Sequence, residues 1–293
     1  MSFHIEVQSG SSVRLPTKGK YCDRDIVVAA VGGGGSGENK LALILGKQSA
    51  TENPYEITES DLGTAIAIPI HFFYGKTGLT RFSSENITEV AGEAFYDCSN
   101  MFEVNIPNVQ TLGNSAFRNC KKLETLNIAS ATEIGNYCFY GCTALKELNA
   151  PNVKKIGSYG IYLCKGLETV NIPNATHLAS YAFNFCEFLT AVNMEQIVEI
   201  QGQAFGSCFR LTYVEIPATC TTIGAQAFDQ VGRAATGAKC TYRLFGTTPP
   251  AIQSTTFTSR YVNKIIVPSG YGEIYKTATN WAAFADYIEE AEA

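Results

Sequence analysis

Apolar residues recur through the middle of this chain with a period of 22 residues. The clearest marker is a cysteine, and five other apolar columns keep a constant distance from it, two before it and three after it. A unit of this length cannot bury its apolar face alone, so successive copies must stack on one another. The pattern therefore predicts a solenoid in which each copy is one coil. The central cysteines of these coils are Cys98, Cys120, Cys142, Cys164, Cys186 and Cys208.

Each coil is expected to contain one short strand. The segments after the cysteines, from FEVNI at 102–106 to LTYVEI at 211–216, alternate apolar and polar residues as half-buried strands do. The segment ahead of the cysteine, for example IGNYCF at 134–139, is expected to form a short helical turn on the far side. Most strands are followed by a proline, which has no N–H and therefore ends the ladder. These prolines are Pro107, Pro151, Pro173 and Pro217.

The repeat continues more weakly at both ends. Upstream, Phe73 keeps the register, but Lys76 stands at the cysteine position. Downstream, one extra residue shifts the frame near Cys220, and Val231 takes the cysteine position. The periodic region therefore predicts a solenoid over residues 65–231 with about 7–8 turns of 22 residues.

The repeat pattern IGxxAFxxCxxLxxVxIP resembles the BspA-like class of bacterial leucine-rich repeats, over about residues 60–231. Two later segments, TTPPAI at 247–252 and IIVPSGYGEIYKTATNWAAFADYI at 265–288, are similar to those that close many such solenoids. The resemblance implies an α/β solenoid of leucine-rich-repeat type, a right-handed curved coil of parallel strands. It also implies a role in binding proteins or surfaces, often on the bacterial cell surface, and no enzymatic activity.

The two ends differ from the repeat. Residues 1–31 are predicted to form a small β-rich N-terminal module, and GGGGSG at 32–37 is typical of a flexible linker. Residues 38–64 are expected to cap the first coil, because an open solenoid end would expose apolar edges. Residues 232–293 are the expected C-terminal cap, with Trp281 in it and a helix over GYGEIYKTA.

Composition narrows the class of protein. A net charge of −5 argues against a nucleic-acid partner, which would need a basic face. The longest apolar stretch, AIAIPIHFFYG at 65–75, is far short of the roughly 20 residues of a membrane span. MSFHIEVQSG lacks the features of a signal peptide. We expect a cell-surface or extracellular location from the resemblance, with a virion-associated or cytoplasmic one as the alternative.

The cysteines are expected to be buried free thiols. A solenoid column sets them in a line, one per coil, whereas a metal needs several thiolates converging on one point. Disulfides between adjacent coils would require local distortion, because parallel side chains keep the Cβ atoms too far apart. Small, weakly polar thiols suit a core. The states of Cys22, Cys220 and Cys240, which lie outside the column, stay open.

No catalytic or cofactor motif is assembled in the sequence. At YGKTG, Ile70 stands where a phosphate-binding loop needs its first glycine. The chain has three histidines, and no GxSxG motif occurs. We therefore predict no enzyme, no cofactor and no metal site.

The outward side of the predicted strands is the first candidate ligand-binding surface, here called the strand face. It combines a column five residues after each cysteine, which varies from coil to coil, with an asparagine column seven residues after it. The asparagines either bond to one another as a ladder or contact a ligand. The neutral-to-acidic chemistry suits a cationic protein patch or a glycan. The candidate residues are Glu103, Asn105, Thr125, Asn127, Glu147, Asn149, Thr169, Asn171 and Tyr213.

A second candidate surface is aromatic. Tyr137, Tyr159 and Tyr181 follow one another at 22 residues, and we call them the tyrosine ladder. Phe185 and Phe188 occupy positions that are polar in sister coils. They form either an exposed contact patch or a thicker core.

These observations predict a non-enzymatic protein- or glycan-binding or adhesion protein that presents a ligand face on a solenoid. The alternative is a receptor-binding structural protein of a phage or prophage, because GKYCDRDIVV at 19–28 loosely resembles modules in prophage structural proteins. A third hypothesis, an enzyme with a diffuse site, would need carboxylates or histidines that converge in a cleft.

Overall fold

The structure of the chain, a computed structural model, describes residues 54–63, 65–233 and 237–292. The predicted N-terminal module and the glycine-rich linker lie outside the described residues. So does most of the predicted cap at 38–64. The described chain is a solenoid with parallel strands along two of its sides.

One side of the solenoid is the strand face, which has 11 strands in three parallel sheets. The first sheet contains β1 (Tyr55–Ile57), β3 (Leu79–Ser83), β5 (Glu103–Asn105) and β7 (Thr125–Asn127). The second contains β9 (Glu147–Asn149), β11 (Thr169–Asn171) and β13 (Ala191–Asn193). The third contains β15 (Tyr213–Ile216), β17 (Cys240–Leu244), β19 (Val262–Val267) and β20 (Ile288–Glu290).

The second side is one continuous parallel sheet of nine two-residue strands. Each begins with an outward residue and ends with a buried aliphatic one, as in Glu133–Ile134. The strands are β2 (Ala67–Ile68), β4 (Glu89–Val90), β6 (Thr111–Leu112), β8 (Glu133–Ile134), β10 (Lys155–Ile156), β12 (His177–Leu178), β14 (Glu199–Ile200), β16 (Thr222–Ile223) and β18 (Ala251–Ile252).

The solenoid has about 11 coils, more than the periodic region alone predicts. Strand β1 adds a coil before residue 65, and three strands of the third sheet lie within 232–293. Those later coils keep the parallel pairing but not the 22-residue frame, which is why the periodicity does not reveal them.

The third side of each coil, here called the arc, runs from the two-residue strand to the cysteine. The sequence predicts a helical turn here, but the arcs of the six cysteine coils contain no helix. Two residues per arc have left-handed backbone, for example Ser115 at φ 57° and Asn119 at φ 62°. An L-residue in that region cannot continue a right-handed helix. The described α-helices are Glu59–Leu62 and Gly272–Thr277, and the 3-10 helices are Ser259–Tyr261 and Trp281–Tyr287.

The left-handed residues let the arc bond to the next coil. The N–H groups of Ser115, Phe117 and Asn119 donate to carbonyl oxygens 21 residues ahead, at 2.8 Å each. The intervening N–H groups of Ala116 and Arg118 bond back within their own coil. Because each arc alternates in this way, its backbone is satisfied without a helix.

A stack of phenylalanine rings fills the core behind the arc. Successive rings lie within 12° of parallel. The coil repeat keeps the rings parallel, and their spacing lies in the range that stacked aromatic pairs favour. Ile161 interrupts the column. The centroid distances are 5.0 Å for Phe73–Phe95, 4.9 Å for Phe95–Phe117, 5.3 Å for Phe117–Phe139, 5.4 Å for Phe183–Phe205, 5.5 Å for Phe205–Phe228 and 5.5 Å for Phe228–Phe257.

The helix Gly272–Thr277 forms where the sequence places one, and Trp281 is buried beside it. The indole N–H donates to the carbonyl oxygen of Pro250 at 2.8 Å, and the ring meets Tyr275 edge-on at 5.2 Å. The Tyr275 hydroxyl donates to the carbonyl oxygen of Gly246 at 2.8 Å. The hydrogen bond from Trp281 to Pro250 therefore joins the two segments that resemble family tails.

The phenylalanine stack generates a stability prediction. Phe117→Ala removes a fully buried ring from between Phe95 and Phe139, and should lower the free energy of unfolding by about 3–5 kcal/mol. Urea unfolding monitored by circular dichroism measures this loss. Thr111→Ala, an exposed position of the same coil, is the control and should change stability by less than about 0.5 kcal/mol. Equal effects of the two substitutions would contradict the stacked core.

Candidate functional site

The cysteine column is structural. All nine described cysteines are free and buried, including Cys220 and Cys240, while Cys22 lies outside the described residues. Each column thiol donates to the carbonyl oxygen of the residue 25 positions earlier, so it bridges two coils. The distances are 3.0 Å for Cys98 to Phe73, 3.2 Å for Cys120 to Phe95, 3.2 Å for Cys142 to Phe117, 3.1 Å for Cys164 to Phe139, 3.3 Å for Cys186 to Ile161 and 3.3 Å for Cys208 to Phe183.

The thiol bond explains why a cysteine fills this position better than an alanine. The carbonyl oxygen of Phe95 accepts the N–H of Cys98 in its own coil and the thiol of Cys120 in the next. The thiol thus donates to the second lone pair of a buried carbonyl oxygen. We conclude that these sulfurs hold the arc together and are not placed for chemistry on a ligand.

Burial gives the thiols an alkaline signature that can be tested. Desolvation raises the pKa of Cys98 and of Cys164 from the ordinary 9.0 to about 12. A thiol with a raised folded pKa stabilises the fold fully below the unfolded pKa, and this contribution is lost as pH rises through the folded value. Stability should therefore fall between about pH 9 and 12, by up to about 1.4 kcal/mol per pH unit for each such thiol.

The measurement is thiolate ultraviolet absorbance during a pH titration, corrected for tyrosinate from its separate band at longer wavelength. A Cys22→Ser variant is used so that the described cysteines alone supply the thiolate. Folded protein should show almost no thiolate near pH 10, and urea-unfolded protein should show nearly the full amount. Thiolate absorbance from the folded protein near pH 9 would contradict the burial of the column.

The strand face has the geometry that the alternation predicts. The central residue of each strand points into the core, whereas Glu103, Thr125, Glu147, Thr169 and Tyr213 point outward. Their chemistry changes from one coil to the next on a uniform scaffold.

The asparagine column forms the ladder that was one of its two predicted roles. The Nδ2 of each residue donates to the Oδ1 of the asparagine one coil before, at 2.7 Å for Asn127 to Asn105, 2.9 Å for Asn171 to Asn149 and 2.9 Å for Asn193 to Asn171. In the described chain no such bond joins Asn149 to Asn127, where the first sheet ends. The asparagines therefore support the face and retain part of their hydrogen-bonding capacity for a ligand.

Glu103, one of the candidate residues of the strand face, is already paired with a side chain of the same protein. Arg81 lies between Glu103, at 3.1 Å, and Glu56, at 3.4 Å, on the two neighbouring strands. Its guanidinium carbon also lies 4.7 Å from the centre of the Phe102 ring. The strand face can thus hold a guanidinium group with two carboxylates and one aromatic ring.

The strand face is interrupted twice, after β7 and after β13. Both interruptions follow coils that lack the proline after the strand and have Ala129 or Glu195 there instead. In these coils a backbone N–H, that of Ser130 or Gln196, bonds back to the preceding coil. Elsewhere an asparagine side chain makes this bond, as Asn152 does to Ala129. The altered turn accompanies a loss of strand pairing.

A cavity opens at the second interruption, and we call it the β13–β15 notch. Its volume is about 270 Å³. Val192 is half-buried here, whereas the equivalent Val170 is buried. The notch is lined by Val192, Asn193, Met194, Glu195, Glu215, Pro217, Ala218 and Phe245.

The tyrosine ladder forms as predicted by its period. The rings of Tyr137 and Tyr159 stack at 4.8 Å, and those of Tyr159 and Tyr181 at 4.6 Å. Since the ring faces cover one another, the ladder presents ring edges and hydroxyl groups. Phe185 joins this aromatic region through Tyr162, whose ring it meets edge-on at 5.8 Å.

Phe188 is held differently. It is 40% exposed, and the guanidinium carbon of Arg210 lies 3.9 Å from its ring centre. The described contacts join it to Arg210 and not to the tyrosine ladder.

A further column was missed by the sequence analysis. Tyr74, Tyr96, Arg118, Tyr140 and Tyr162 follow one another at 22 residues, one position after the phenylalanine column. The guanidinium carbon of Arg118 lies 4.6 Å from the ring centre of Tyr140 and 5.6 Å from that of Tyr96. The 22-residue frame could have revealed this column. It could not have revealed that the Arg118 guanidinium lies between the stacked pairs Tyr74–Tyr96 and Tyr140–Tyr162.

Two further properties of the described residues bear on function. No helix there is long and apolar enough to cross a membrane. The same residues contain no group of three or more His, Cys, Asp or Glu side chains arranged to hold a metal ion.

The fold is that of a leucine-rich-repeat solenoid, and comparison with known families gives the particular type. A family model described as a BspA type leucine rich repeat region, in six copies, matches residues 66–175 and 112–233. The chain therefore belongs to the BspA-type leucine-rich-repeat family. A comparison with curated proteins finds no match.

Several solved structures are similar to this chain. The leucine-rich-repeat protein of T. pallidum is 24% identical over 50% of this chain and 72% of that chain, with a TM-score of 0.47. A leucine rich cell surface protein of Faecalibacterium prausnitzii is 19% identical over 83% of this chain and 89% of that chain, with a TM-score of 0.45. The pneumococcal vaccine antigen PcpA is 13% identical over 81% of this chain and 66% of that chain, with a TM-score of 0.41.

Proposed function

We propose that this protein is a non-enzymatic binding or adhesion protein whose strand face engages a protein or glycan ligand. The observation that carries the proposal is the contrast between two adjacent columns. The asparagine ladder is nearly constant, whereas the outward column beside it changes among Glu, Thr, Ala and Tyr. Variation on a rigid, regular support is typical of a surface built for recognition.

Family membership supports the same class of function. Leucine-rich-repeat proteins generally bind protein ligands, so a protein partner is the first expectation and a glycan is the second. The proposed location is a bacterial cell surface or the extracellular space, as in many members of the family. No catalytic function is indicated by the family.

Within the strand face, we assign direct ligand contact to Thr125, Glu147, Thr169 and Tyr213. All four are exposed, whereas Glu103 is paired with Arg81. The asparagines Asn105, Asn127, Asn149 and Asn171 are proposed to contribute their remaining hydrogen-bonding capacity. The tyrosine ladder with Phe185, and Phe188 with Arg210, are secondary surfaces.

The alternative is a receptor-binding part of a phage-like particle. It rests on GKYCDRDIVV, which lies outside the described residues. Gene neighbourhood discriminates between the two: adjacent tail genes favour the particle, and a secretion or anchoring context favours the surface protein.

Array binding tests the proposed function. The full chain is applied to arrays of bacterial and host surface proteins and of glycans, followed by a Glu147→Ala, Tyr213→Ala double variant. We expect the variant to lose about tenfold or more in affinity, because both side chains are exposed and belong to the proposed contact. Surface plasmon resonance with the ligand found on the array measures the affinities of the full chain and of the variant.

Glu133→Ala is the matched control. Glu133 is exposed in the same 22-residue region as Glu147 but on the nine-stranded sheet, so its loss should leave binding unchanged. Unaltered binding by the double variant would remove the strand face as the binding surface.

A further inference from the structure

We propose that the β13–β15 notch receives an arginine side chain of a protein partner. This inference rests on the proposed function and adds to it the chemistry of one contact. The position of the notch on the strand face, its mixed apolar and acidic lining and an equivalent arrangement elsewhere on this chain carry the argument.

The notch exists because the second sheet ends at β13 and the third begins at β15. The facing edges of the two strands are not joined in a ladder, so this edge of each sheet borders an opening in the strand face. A partner side chain entering here can meet both backbone hydrogen-bonding groups and side chains. The other interruption, after β7, has no comparable aromatic wall among its described neighbours.

The lining combines an apolar wall with two carboxylates. Val192, Pro217 and Phe245 provide the wall, and Phe245 is 43% exposed. Glu195 and Glu215 provide the charge. An amphipathic cationic side chain fits such a lining, because its stem covers apolar surface while its head reaches the carboxylates.

The nearby groups leave both carboxylates available. Glu195 accepts from the Nδ2 of Asn193 at 3.2 Å, and Glu215 accepts from the hydroxyl of Tyr213 at 3.1 Å. Arg243 is the register partner of Glu215 on β17, but its guanidinium carbon lies 5.1 Å from the ring centre of Phe245. In the described part of the chain, neither glutamate of the notch forms an ion pair.

The Arg81 site shows what a filled version of this arrangement is like. There, on the same face, one guanidinium group contacts two carboxylates and an aromatic ring, all supplied by this chain. The notch repeats the two carboxylates and the ring. The chain's own Arg243 lies beside that ring but forms an ion pair with neither carboxylate of the notch. Arginine is favoured over lysine because its planar group can contact both carboxylates and lie against Phe245.

The size of the notch suits one side chain. A volume of about 270 Å³ lies just below the range of sites for drug-sized molecules, which starts near 300 Å³. A notch of this size has room for one amphipathic side chain, and we propose it as an anchor point within a larger contact along the strand face.

Methionine methyl NMR tests this proposal with an internal control. The chain has three methionines. Met194, which is 3% exposed, lines the notch, whereas Met101 is fully buried and does not line it. The full chain is labelled at its methionine methyl groups and titrated with a short, end-blocked glycine–serine peptide that contains one central arginine. We expect a saturable shift of the Met194 resonance and none of the Met101 resonance.

Two comparisons isolate the contribution of charge to peptide binding. The same peptide with citrulline, which is neutral and of similar shape, should bind about fivefold or more weakly. A Glu195→Gln, Glu215→Gln double variant should bind the arginine peptide more weakly by a similar factor. The thermal midpoint of this variant should stay unchanged, because glutamine keeps the accepting oxygen. An unmoved Met194 resonance at millimolar peptide, or equal affinities in either comparison, would overturn the proposal. A Met194 shift caused by a neutral oligosaccharide and not by the arginine peptide would also overturn it.

Failure of the notch and failure of the proposed function give different results. If an array ligand binds and responds to Glu147→Ala but not to the double glutamine variant, the strand face stands and the arginine anchor is wrong. Glu147 lies on β9, three strands of the face away from β15, so its effect does not depend on the notch.

Discussion

The hydrogen bond from one arc to the next is the contact on which this solenoid depends. Two left-handed residues per coil turn every second N–H of the arc toward the following coil, as at Ser115, Phe117 and Asn119. The cysteine thiol adds a bond in the opposite direction, to a carbonyl of the preceding coil. Because each coil satisfies its neighbours, no coil is stable alone, and the spacing of all apolar columns follows from this one repeat.

In such a repeat, the inward residues support the fold and the outward residues are free to contact a ligand. Inward residues are constrained by the coil above and the coil below, which is why phenylalanines, thiols and aliphatic residues stay in their columns. Outward residues on the strand face contribute little to the contacts between coils apart from the hydrogen bonds of the asparagine ladder. Their neighbours can therefore change from Glu147 to Thr169 to Tyr213 without a structural cost, and a ligand can be matched by substitution alone.

The aromatic residues illustrate two uses of the same chemistry. In the tyrosine ladder each ring covers the next, so most of the ring surface stabilises the arc and only edges and hydroxyl groups remain for contact. Phe245 lacks such a neighbour in its column and stays exposed beside the notch. Exposed apolar surface next to unpaired carboxylates is the combination expected at a contact point, whereas a closed stack is expected in a wall.

The sequence by itself determined the period, the columns, the inward and outward sides of the strands and the burial of the cysteines. It could do so because these properties depend only on equivalent positions in successive coils. Only the tertiary structure decided the left-handed arc, the interruptions after β7 and β13 and the cation between Tyr96 and Tyr140. These depend on how far each coil is displaced from the next, and a period carries no such distance. The notch also needed Phe245, which comes from a coil outside the 22-residue frame and meets Glu195 and Glu215 only after the chain has folded.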